Sequence, residues 1–417
     1  MLQLLKTYRT YRGLVNNQWL SRDRINQIQE RKLQLLLRHA YATVPYYRAL
    51  LDEAGVAPQQ IESLKDLKKI PVTRKADLQD LDLQSIVSSL FHLRNLKREC
   101  TSGSTGQPFG IYYEHDFVTL RNLLFLRALN AVGYRIGQKI LLITDTRNKH
   151  SKNILPGWHY AAIIESPQHH LSLLNRVKPA VLYGCKTSLK LLAEHALEVA
   201  SVDHRPGKII STAESLDKAT RTQLAKTFDA EVYDFYGLSE MGIVGWECRA
   251  HTGYHLAEDA TIIEYQPADD IAGASKLVMT NLNLYAMPLI RFETGDLVLP
   301  GTNKSCPCGR TFSQFEQVEG RIADVIQKKN GAKISPYRLT CALETVAGLK
   351  TYQVIQKNLD SILVKFVPVP FEKGVKEEQI RHTVETVLGG DIHILIKKAT
   401  ELAVIPGRKF RVVESRL

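Results

Sequence analysis

At 417 residues the chain is too long for a single small core and fits one large domain with a smaller one. Apolar residues make up 44% and charged residues 24%, as is usual in globular proteins, and the sequence predicts neither a secretory signal nor a transmembrane helix. The net charge of +12 is spread along the chain without a nucleic-acid-binding motif, so we expect polyanionic small molecules as partners and no nucleic acid.

The first hundred residues predict helices. Met1–Arg24 mixes Leu, Tyr, Val and Trp with basic side chains, which predicts a surface helix or, alternatively, weak contact with an acidic membrane. Ile25–Tyr41 carries Leu and Ile at helical spacing, and Pro45-Tyr46-Tyr47 interrupts and restarts the pattern. We therefore expect a helical N-terminal region.

From residue 139, short apolar segments alternate with amphipathic ones, which predicts a parallel sheet covered by helices on both faces. The predicted strands and helices are Lys139–Thr144, Ala180–Cys185, Ser188–Ala200 (helix), Lys208–Ala213, Leu216–Phe228 (helix) and Glu231–Tyr236. Ligands of such sheets bind beyond the carboxyl ends of the strands. The residues that follow these strands are therefore the candidate site residues.

Beyond residue 260 the pattern predicts an antiparallel unit and then, after Gly320-Arg321, a small α+β domain. The antiparallel strands are Ala260–Gln266, Ser275–Asn283 and Pro288–Pro300, and the elements of the small domain are Pro336–Val346 (helix), Thr351–Gln356, Ser361–Val367, Lys376–Leu388 (helix) and Ile392–Lys397. The predicted fold is α/β. A large N-terminal domain (residues 1–319) has helix-flanked, mostly parallel sheets and an antiparallel β subdomain, and residues 320–417 form a C-terminal α+β lid domain.

Thr101–Pro108 (TSGSTGQP) is the strongest local motif. Its glycines let the backbone turn amide groups toward phosphate oxygens, and its hydroxyls add further donors. It lacks the Gly-Lys-Ser/Thr ending of a Walker loop, and the next segment, Phe109–Tyr113, predicts a strand. By composition alone, a flexible Ser/Gly turn fits equally well.

Five motifs occur in an order and at separations that resemble the adenylate-forming superfamily, which includes acyl-CoA synthetases, luciferase and peptide-synthetase adenylation domains. They are Thr101–Pro108, Ser211–Ser215, Tyr236–Glu240, Arg291–Asp296 and Gly320–Asp324. The resemblance covers the chain from residue 101 to its end. It implies binding of ATP and AMP with Mg²⁺.

The resemblance also implies roles for single residues. Thr101 would act with the phosphate loop, Glu240 would help to hold Mg²⁺, and Asp296 would bind the ribose hydroxyls. The implied nucleotide-binding residues are Ser102, Gly103, Ser104, Thr105, Gly106, Ala213, Glu214, Ser215, Tyr236, Gly237, Ser239, Asp296 and Arg321. Taken singly, Tyr236 also fits a core residue, Glu240 a helix cap and Asp296 a turn former.

Further motifs resemble the short phenylacetate–CoA ligase and capsule-biosynthesis (CapK-like) branch of this superfamily. They are Leu37–Tyr41, Val44–Arg48, Ile70–Lys75 and Cys306-Pro307-Cys308-Gly309. The implied activity is ATP-dependent conversion of a small aryl or acyl carboxylate to an acyl-adenylate, with release of pyrophosphate and transfer to a thiol, that of coenzyme A. The implied alternatives are an adenylyltransferase, delivery to a carrier protein, amine or polysaccharide hydroxyl, and a nucleotide-binding scaffold without catalysis.

The cysteines predict a structural metal site. The six in the chain are too few and too scattered for a disulfide framework, which favours a reducing cytoplasm. Cys306 and Cys308 could join Cys248 and His255 in a closed zinc site of three thiolates and one imidazole, with His251 as the competing histidine. Four unrelated residues are the alternative.

Two positions depart from the superfamily pattern. Ala323 stands where Asp or Lys usually follows the hinge arginine, and Asp324 comes one residue later. Near the C-terminus, the lysine that contacts carboxylate and α-phosphate corresponds to Lys409 or, in the other register, to Arg408. We favour Lys409 because a single ammonium suits a crowded reacting centre better than a planar guanidinium. For the acid pocket we expect residues between the helix His115–Val132 and Tyr236, with Trp158, His159, Tyr183 and Gly184 as candidates.

Overall fold

The computed structural model describes residues 2–100, 109–144, 157–200, 202–268, 271, 273–302, 305–369, 375–390, 392–402 and 411–417. The predicted phosphate loop, Thr101–Pro108, and the predicted catalytic cation, Lys409 or Arg408, lie outside these ranges. Within them, no helix combines the length and the apolar character needed to cross a bilayer.

Eleven α-helices and nineteen strands lie in the described ranges. The helices are α1 (Leu2–Asn17), α2 (Arg22–Thr43), α3 (Pro45–Glu53), α4 (Lys75–Gln79), α5 (Leu83–Ile86), α6 (His115–Ala131), α7 (Pro167–Val177), α8 (Lys186–Glu198), α9 (Lys218–Phe228), α10 (Pro336–Leu343) and α11 (Glu377–Leu388). The strands are β1 (Lys97–Cys100), β2 (Gly110–Tyr113), β3 (Ile140–Thr144), β4 (Trp158–Ala162), β5 (Val181–Cys185), β6 (Lys208–Thr212), β7 (Glu231–Leu238), β8 (Gly242–Glu247), β9 (Tyr254–Leu256), β10 (Thr261–Pro267), β11 (Ser275–Asn281), β12 (Phe292–Pro300), β13 (Gln314–Arg321), β14 (Ile326–Gln327), β15 (Lys333–Ile334), β16 (Leu349–Asn358), β17 (Ser361–Pro368), β18 (His393–Lys398) and β19 (Val413–Ser415). Short 3-10 helices span Pro58–Gln60, Leu64–Lys69, Leu93–Asn95 and Ile322–Asp324.

The chain forms two compact units, of which the first comprises residues 1–133, 236–267 and 275–317. Its strands follow the order β10-β11-β12-β13-β9-β8, and the pairs β10–β11, β11–β12, β13–β9 and β9–β8 are antiparallel. α2 ends where Val44 turns extended before Pro45, because a residue that precedes proline is disfavoured in the helical region. The buried faces of α2 and α3 pack on Ile262, Leu282 and Ile290 at the β10–β11 end of the sheet.

The second unit comprises residues 134–235, 268–274 and 318–417. Its parallel strands follow the order β7-β6-β5-β3-β4. Apolar side chains of α7, α8 and α9 pack on one face of these strands and form a buried cluster with Leu141, Leu182, Ile209 and Val232. The carboxyl ends of the strands meet at one edge, as the alternating pattern predicts.

The C-terminal part of the second unit has its own hydrophobic core. Its sheet has the order β18-β17-β16-β19, and every buried residue of its core cluster lies between residues 326 and 413. A turn at Asn330-Gly331, with Gly331 at φ +83°, connects β14 to β15. The predicted α/β class, with parallel strands, antiparallel strands and a smaller C-terminal α+β part, is confirmed. The division of the chain into residues 1–319 and 320–417 stays a prediction.

Helix α1 lies at the surface of the first unit. Leu4 is 77% exposed and Tyr8 57%, whereas Leu14 near the end of the helix is buried. Lys6 and Asp116 form an ion pair at 3.7 Å, and because both side chains are exposed to solvent it contributes little to stability. The weak membrane contact of this segment stays a prediction.

Candidate active site and metal centre

A β-bulge sets the direction of Asp296 in the first unit. The register of β12 against β11 shifts there, and Gly295 has φ +77°, a left-handed conformation that glycine adopts without strain. Thr294 Oγ1 donates to the carbonyl of Leu277 (3.1 Å) and accepts from the amide of Asp296 (3.1 Å). The carboxylate accepts a hydrogen bond from the Tyr236 hydroxyl, with 2.7 Å between Oδ2 and the phenolic oxygen. The turn predicted at Asp296 is therefore a bulge within a strand.

Tyr236 is a buried residue of β7, with 8% of its surface exposed. The strand continues to Leu238, so the prediction that Tyr236 ends the strand is wrong by two residues. Phe315 meets the Tyr236 ring edge-on at 5.5 Å and stacks on Tyr254 at 4.8 Å. No local pattern points to Phe315, because the pairing of β13 with β9 is what brings it to Tyr254 and Tyr236.

Glu240 lies in the tight turn between β7 and β8, so the alternative of a helix cap is wrong. The amide of Met241 donates to the carbonyl of Leu238 (3.2 Å) and closes this turn. Gly237 approaches the returning strand closely, since a Cβ at this position would lie 3.0 Å from the carbonyl oxygen of Gly242. The structure thus keeps Tyr236, Gly237, Ser239 and Glu240 on one short return of the chain.

Ala213, Glu214 and Ser215 follow the carboxyl end of β6 in the second unit. Ala213 has φ +67°, a conformation that costs a non-glycine residue free energy and often marks a functional turn. The Glu214 carboxylate accepts hydrogen bonds from the amide (3.0 Å) and the hydroxyl (2.5 Å) of Thr187, in the first turn of α8. Its side chain therefore caps a helix, and the backbone of the turn is the part that a ligand could contact.

The acid-pocket candidates divide between the two ends of the parallel strands. Tyr183 and Gly184 lie near the carboxyl end of β5, and burial raises the pKa of Tyr183 to about 12. Trp158 and His159 begin β4, and the Trp158 indole donates to the Tyr134 hydroxyl at 3.0 Å. Trp158 and His159 lie at the amino end of their strand, opposite the edge where ligands of parallel sheets bind. Contact of the four candidates with the acid stays a prediction.

The hinge motif leads from β13 into the short helix Ile322–Asp324, with Arg321 as the last residue of the strand. Asp324 forms an ion pair with Arg411, and Arg411 Nη2 lies 3.4 Å from the carbonyl oxygen of Ala323. The ion pair thus connects the short helix Ile322–Asp324 to the start of the described segment 411–417.

The four predicted metal ligands lie together in the first unit. The ligand atoms of Cys248, His255, Cys306 and Cys308 are all within 4.8 Å of one another. Cys248 Sγ lies 3.5 Å from Cys306 Sγ, and Cys308 Sγ lies 3.3 Å from His255 Nε2. His251, the competing histidine, lies outside this cluster in a turn, 3.6 Å from Glu247.

The ligand types and their spacing suit a metal ion. Burial lowers the pKa of His255 to about 4, so its imidazole is neutral at pH 7. Its Nδ1 lies 3.3 Å from the carbonyl oxygen of Phe312, an arrangement that leaves Nε2 free to bind a metal. Burial raises the pKa of Cys248 to about 12 in the absence of a bound metal. A tetrahedral zinc ion separates its sulfur ligands by about 3.8 Å. The four side chains therefore fit such an ion.

Several curated proteins are similar to the chain along most of its length, although no protein-family model matches it. Phenylacetate–coenzyme A ligase of Thermus thermophilus is 28% identical over 86% of the chain and 85% of its own length. The Escherichia coli protein of the same name is 24% identical over 94% of the chain and 95% of its own length. The Aromatoleum evansii protein, also a phenylacetate–coenzyme A ligase, is 26% identical, with 95% and 96% covered.

Solved structures with the same fold are also coenzyme A ligases. A 2-hydroxyisobutyryl-CoA ligase in the postadenylation state, in complex with 2-HIB-AMP, has a TM-score of 0.80 at 21% identity, with 96% of the chain and 92% of the ligase covered. An anthranilate CoA ligase in complex with anthranoyl-AMP has a TM-score of 0.59 at 15% identity, with 77% of the chain and 67% of the ligase covered. The likeness extends across both compact units of the chain.

Proposed function

Because the chain is a homologue of phenylacetate–coenzyme A ligases within the adenylate-forming superfamily, we propose that it activates a small carboxylic acid with ATP and transfers the acyl group to coenzyme A. The observation that carries this proposal is similarity to these ligases over nearly their whole length. The thiols of the six unpaired cysteines suit a reducing cytoplasm as the place of the reaction.

In the first unit, Asp296 is the proposed ribose ligand. Its carboxylate can accept hydrogen bonds from both hydroxyls of a ribose diol, and charge-assisted bonds are the stronger class. The bulge at Gly295 and the Tyr236 hydroxyl fix the direction of this carboxylate before a nucleotide binds. A prealigned acceptor binds more tightly because no side-chain entropy is lost on binding.

Glu240 is the proposed protein ligand of Mg²⁺. Carboxylate oxygens suit this ion, which also binds substrate phosphates and neutralises charge on the leaving pyrophosphate. Thr101–Gly106 would supply the amide and hydroxyl donors to the phosphates. In the second unit, the Ala213–Ser215 turn would contact the adenine, and Arg321 would lie at the hinge.

The proposed chemistry has two steps. An oxygen of the substrate carboxylate attacks the α-phosphorus of ATP, the bond to the β-phosphate oxygen breaks, and pyrophosphate leaves. The coenzyme A thiol then loses its proton and attacks the acyl carbon, and AMP departs with the electron pair of the broken C–O bond. Lys409 would stabilise the negative charge shared by carboxylate and α-phosphate, which is the electrostatic contribution that usually dominates such catalysis.

For the acid we propose an arylacetate or a related aryl acid, following the names of the relatives. Tyr183 and Gly184 at the carboxyl end of β5 are the described candidates for contact with its apolar part. Gly184 packs closely, since a Cβ there would lie 3.3 Å from the Cβ of Ile143. A side chain at this position would therefore enter the buried cluster beside Ile143 and Leu189.

Pyrophosphate release with a panel of aryl and alkyl acids, with and without coenzyme A, tests the function. We expect release with aryl acids and a thioester, detected by mass spectrometry, when coenzyme A is present. Asp296→Asn should weaken AMP binding measured by calorimetry, whereas Glu293→Gln in the same strand is the matched control. Acid-dependent release without a thioester would indicate another acceptor, and ATP binding without any release would indicate a scaffold.

We further propose that Cys248, His255, Cys306 and Cys308 hold one structural Zn²⁺. Four protein ligands close the coordination sphere, so the ion would link β8 and β9 to the turn after β12 rather than act on substrate. Purified protein should contain about one zinc per chain by elemental mass spectrometry. Cys306→Ser should lose this zinc and melt at a lower temperature, and Cys341→Ser, outside the cluster, should keep it. Unchanged zinc in Cys306→Ser would refute the site.

A further inference from the structure

We propose that Tyr113 and Asn281 are positioning residues for Glu240, and that Tyr113 connects β2 to the turn that carries this carboxylate. The inference rests on the proposed function, because it assigns these residues to the binding of ATP with its metal ion. Neither residue belongs to the five motifs of the superfamily.

Tyr113 lies on β2, and β1 and β2 flank the predicted phosphate loop in the sequence. β1 and β2 are antiparallel, with Cys100 opposite Gly110 and Lys97 opposite Tyr113, so the segment between Cys100 and Gly110 connects the two strands. Tyr113 therefore lies three residues beyond the end of this connection, on the strand that leads away from it. Its side chain is 1% exposed.

The Tyr113 hydroxyl donates a hydrogen bond to the carbonyl oxygen of Ser239, the residue before Glu240. The phenol ring packs on Phe117 at 5.5 Å, and the Arg121 guanidinium lies over it at 4.8 Å. These two contacts come from successive turns of α6 and restrict the position of the ring. The hydroxyl thus reaches the turn between β7 and β8 from a fixed position.

Asn281 holds the other carbonyl of the same turn. Its Nδ2 donates to the carbonyl oxygen of Glu240 at 3.2 Å, and its Oδ1 accepts from the amide of Asn283 at 3.1 Å. The second bond fixes which end of the amide faces the turn. Asn281 is 1% exposed, so neither bond is exchanged for one with bulk water.

Arg121 packs against the outgoing side of the turn. Gly242 has φ +81°, and a Cβ at that position would lie 3.1 Å from Arg121 Cγ. Arg121 Nη1 pairs with Glu99 Oε2 at 3.0 Å, which links the arginine to β1. Burial lowers the pKa of Arg121, and the surrounding negative groups, Glu240 among them, offset this and raise it. The Arg121 guanidinium therefore lies within electrostatic range of the Glu240 carboxylate.

The consequence is that both peptide planes beside Glu240 are held by donors from separate elements. The Ser239 carbonyl is held by β2 and the Glu240 carbonyl by β11, so the backbone at Glu240 cannot rotate without breaking a buried hydrogen bond. A buried carbonyl that loses its donor costs roughly 1–3 kcal/mol. The turn is thus fixed relative to the hairpin, and so is the origin of the carboxylate side chain.

Tyr113→Phe tests the proposal, with Tyr112→Phe as the matched control. Tyr112 is the neighbouring residue of β2, and its side chain lies on the opposite face of the strand. Calorimetry of ATP is carried out with Mg²⁺ and again with EDTA. We expect Tyr113→Phe to weaken binding of ATP with Mg²⁺ about fivefold to tenfold, the effect of one lost hydrogen bond, and to change metal-free binding less than twofold.

Asn281→Asp is the second variant, because it removes the donor to Glu240 and keeps the acceptor for Asn283. It should give the same metal-specific loss, and the double variant should lose less than the product of the single effects, since both act on one turn. Equal losses with and without Mg²⁺, or a Tyr113→Phe variant that binds like Tyr112→Phe, would overturn the proposal alone. Failure of the unaltered protein to bind ATP would overturn the proposed function as well.

Discussion

Replacing Glu194 by glutamine is expected to stabilise the protein above pH 7 and to change its stability little at pH 5. Glu194 lies on α8, and its Oε2 is buried without a hydrogen-bond partner among the residues that the structure describes. Burial raises the pKa of this carboxyl to about 7, although Lys190 and Lys350 act in the opposite direction. Lys190 neutralises Glu194 only in part, because its ammonium already pairs with Glu344 at 2.6 Å.

The sign and size of the effect follow from the two protonation states. A carboxyl with an ordinary pKa of 4.5 and a native pKa of about 7 binds its proton more tightly in the folded protein. Its contribution to stability is therefore complete below pH 4.5 and is lost as the pH rises through 7. The loss amounts to about 3 kcal/mol as an upper limit, at about 1.4 kcal/mol per pKa unit. The glutamine side chain does not titrate, so the Glu194→Gln variant does not lose this stability as the pH rises.

Urea denaturation at pH 5.0 and pH 8.5 measures this difference in the unaltered protein and in Glu194→Gln. The matched control is Glu198→Gln, one turn further along α8, where the side chain is 53% exposed and the effect should be small at both values. Equal stabilisation at both pH values would show that the change acts through packing. A Glu194→Gln variant less stable than the unaltered protein at pH 8.5 would refute the reasoning.

Three further predictions concern single side chains. Arg127→Met should lower the free energy of unfolding, measured in urea, by about 3–5 kcal/mol, because the buried Asp259 carboxylate would lose its paired guanidinium. Arg127 is fully buried and lies 2.8 Å from both oxygens of Asp259, and a loss below about 1 kcal/mol would contradict this reasoning. Lys409→Ala should abolish pyrophosphate release and leave ATP affinity within about threefold, whereas the same result with Arg408→Ala instead would select the other register. Tyr236→Phe should weaken AMP binding, measured by calorimetry, about threefold to tenfold through the loss of one hydrogen bond. Unchanged affinity would contradict the proposal that Tyr236 orients Asp296 toward the ribose.

Local sequence patterns were sufficient for most of the regular elements. β3, β5, β6 and β7 are runs of apolar residues bounded by polar turns, and their predicted ends differ from the observed ones by one or two residues. Helix α7 was not predicted, because a polar residue, His170, interrupts the apolar pattern of its buried face. The His170 ring contacts the carbonyl oxygen of Ala162 at 2.9 Å. Strands β8 and β9 escaped because glycines interrupt the first and only three residues form the second.

The metal cluster shows a choice that local sequence patterns cannot make, namely which histidine joins the thiols. Sequence spacing predicted three cysteines with His255 as ligands, and His251 as the competing histidine. The register of β9 against β8 and β13 brings His255 to the thiols, whereas His251 lies in a turn with a left-handed backbone conformation. A histidine four residues away has the same chemistry and nearly the same spacing. The choice between them is made by strand pairing, which no local pattern encodes.

By itself, the sequence determined the alternation of strands and helices, the order of the nucleotide motifs and the chemical types of the candidate ligands, because each depends on residues close together in the chain. Only the tertiary structure decided that Tyr236 supports Asp296, sixty residues away, and that Tyr113 holds the carbonyl next to Glu240. Periodicity tells which face a side chain occupies, whereas its partner across the sheet depends on register, bulges and packing that arise once distant segments meet.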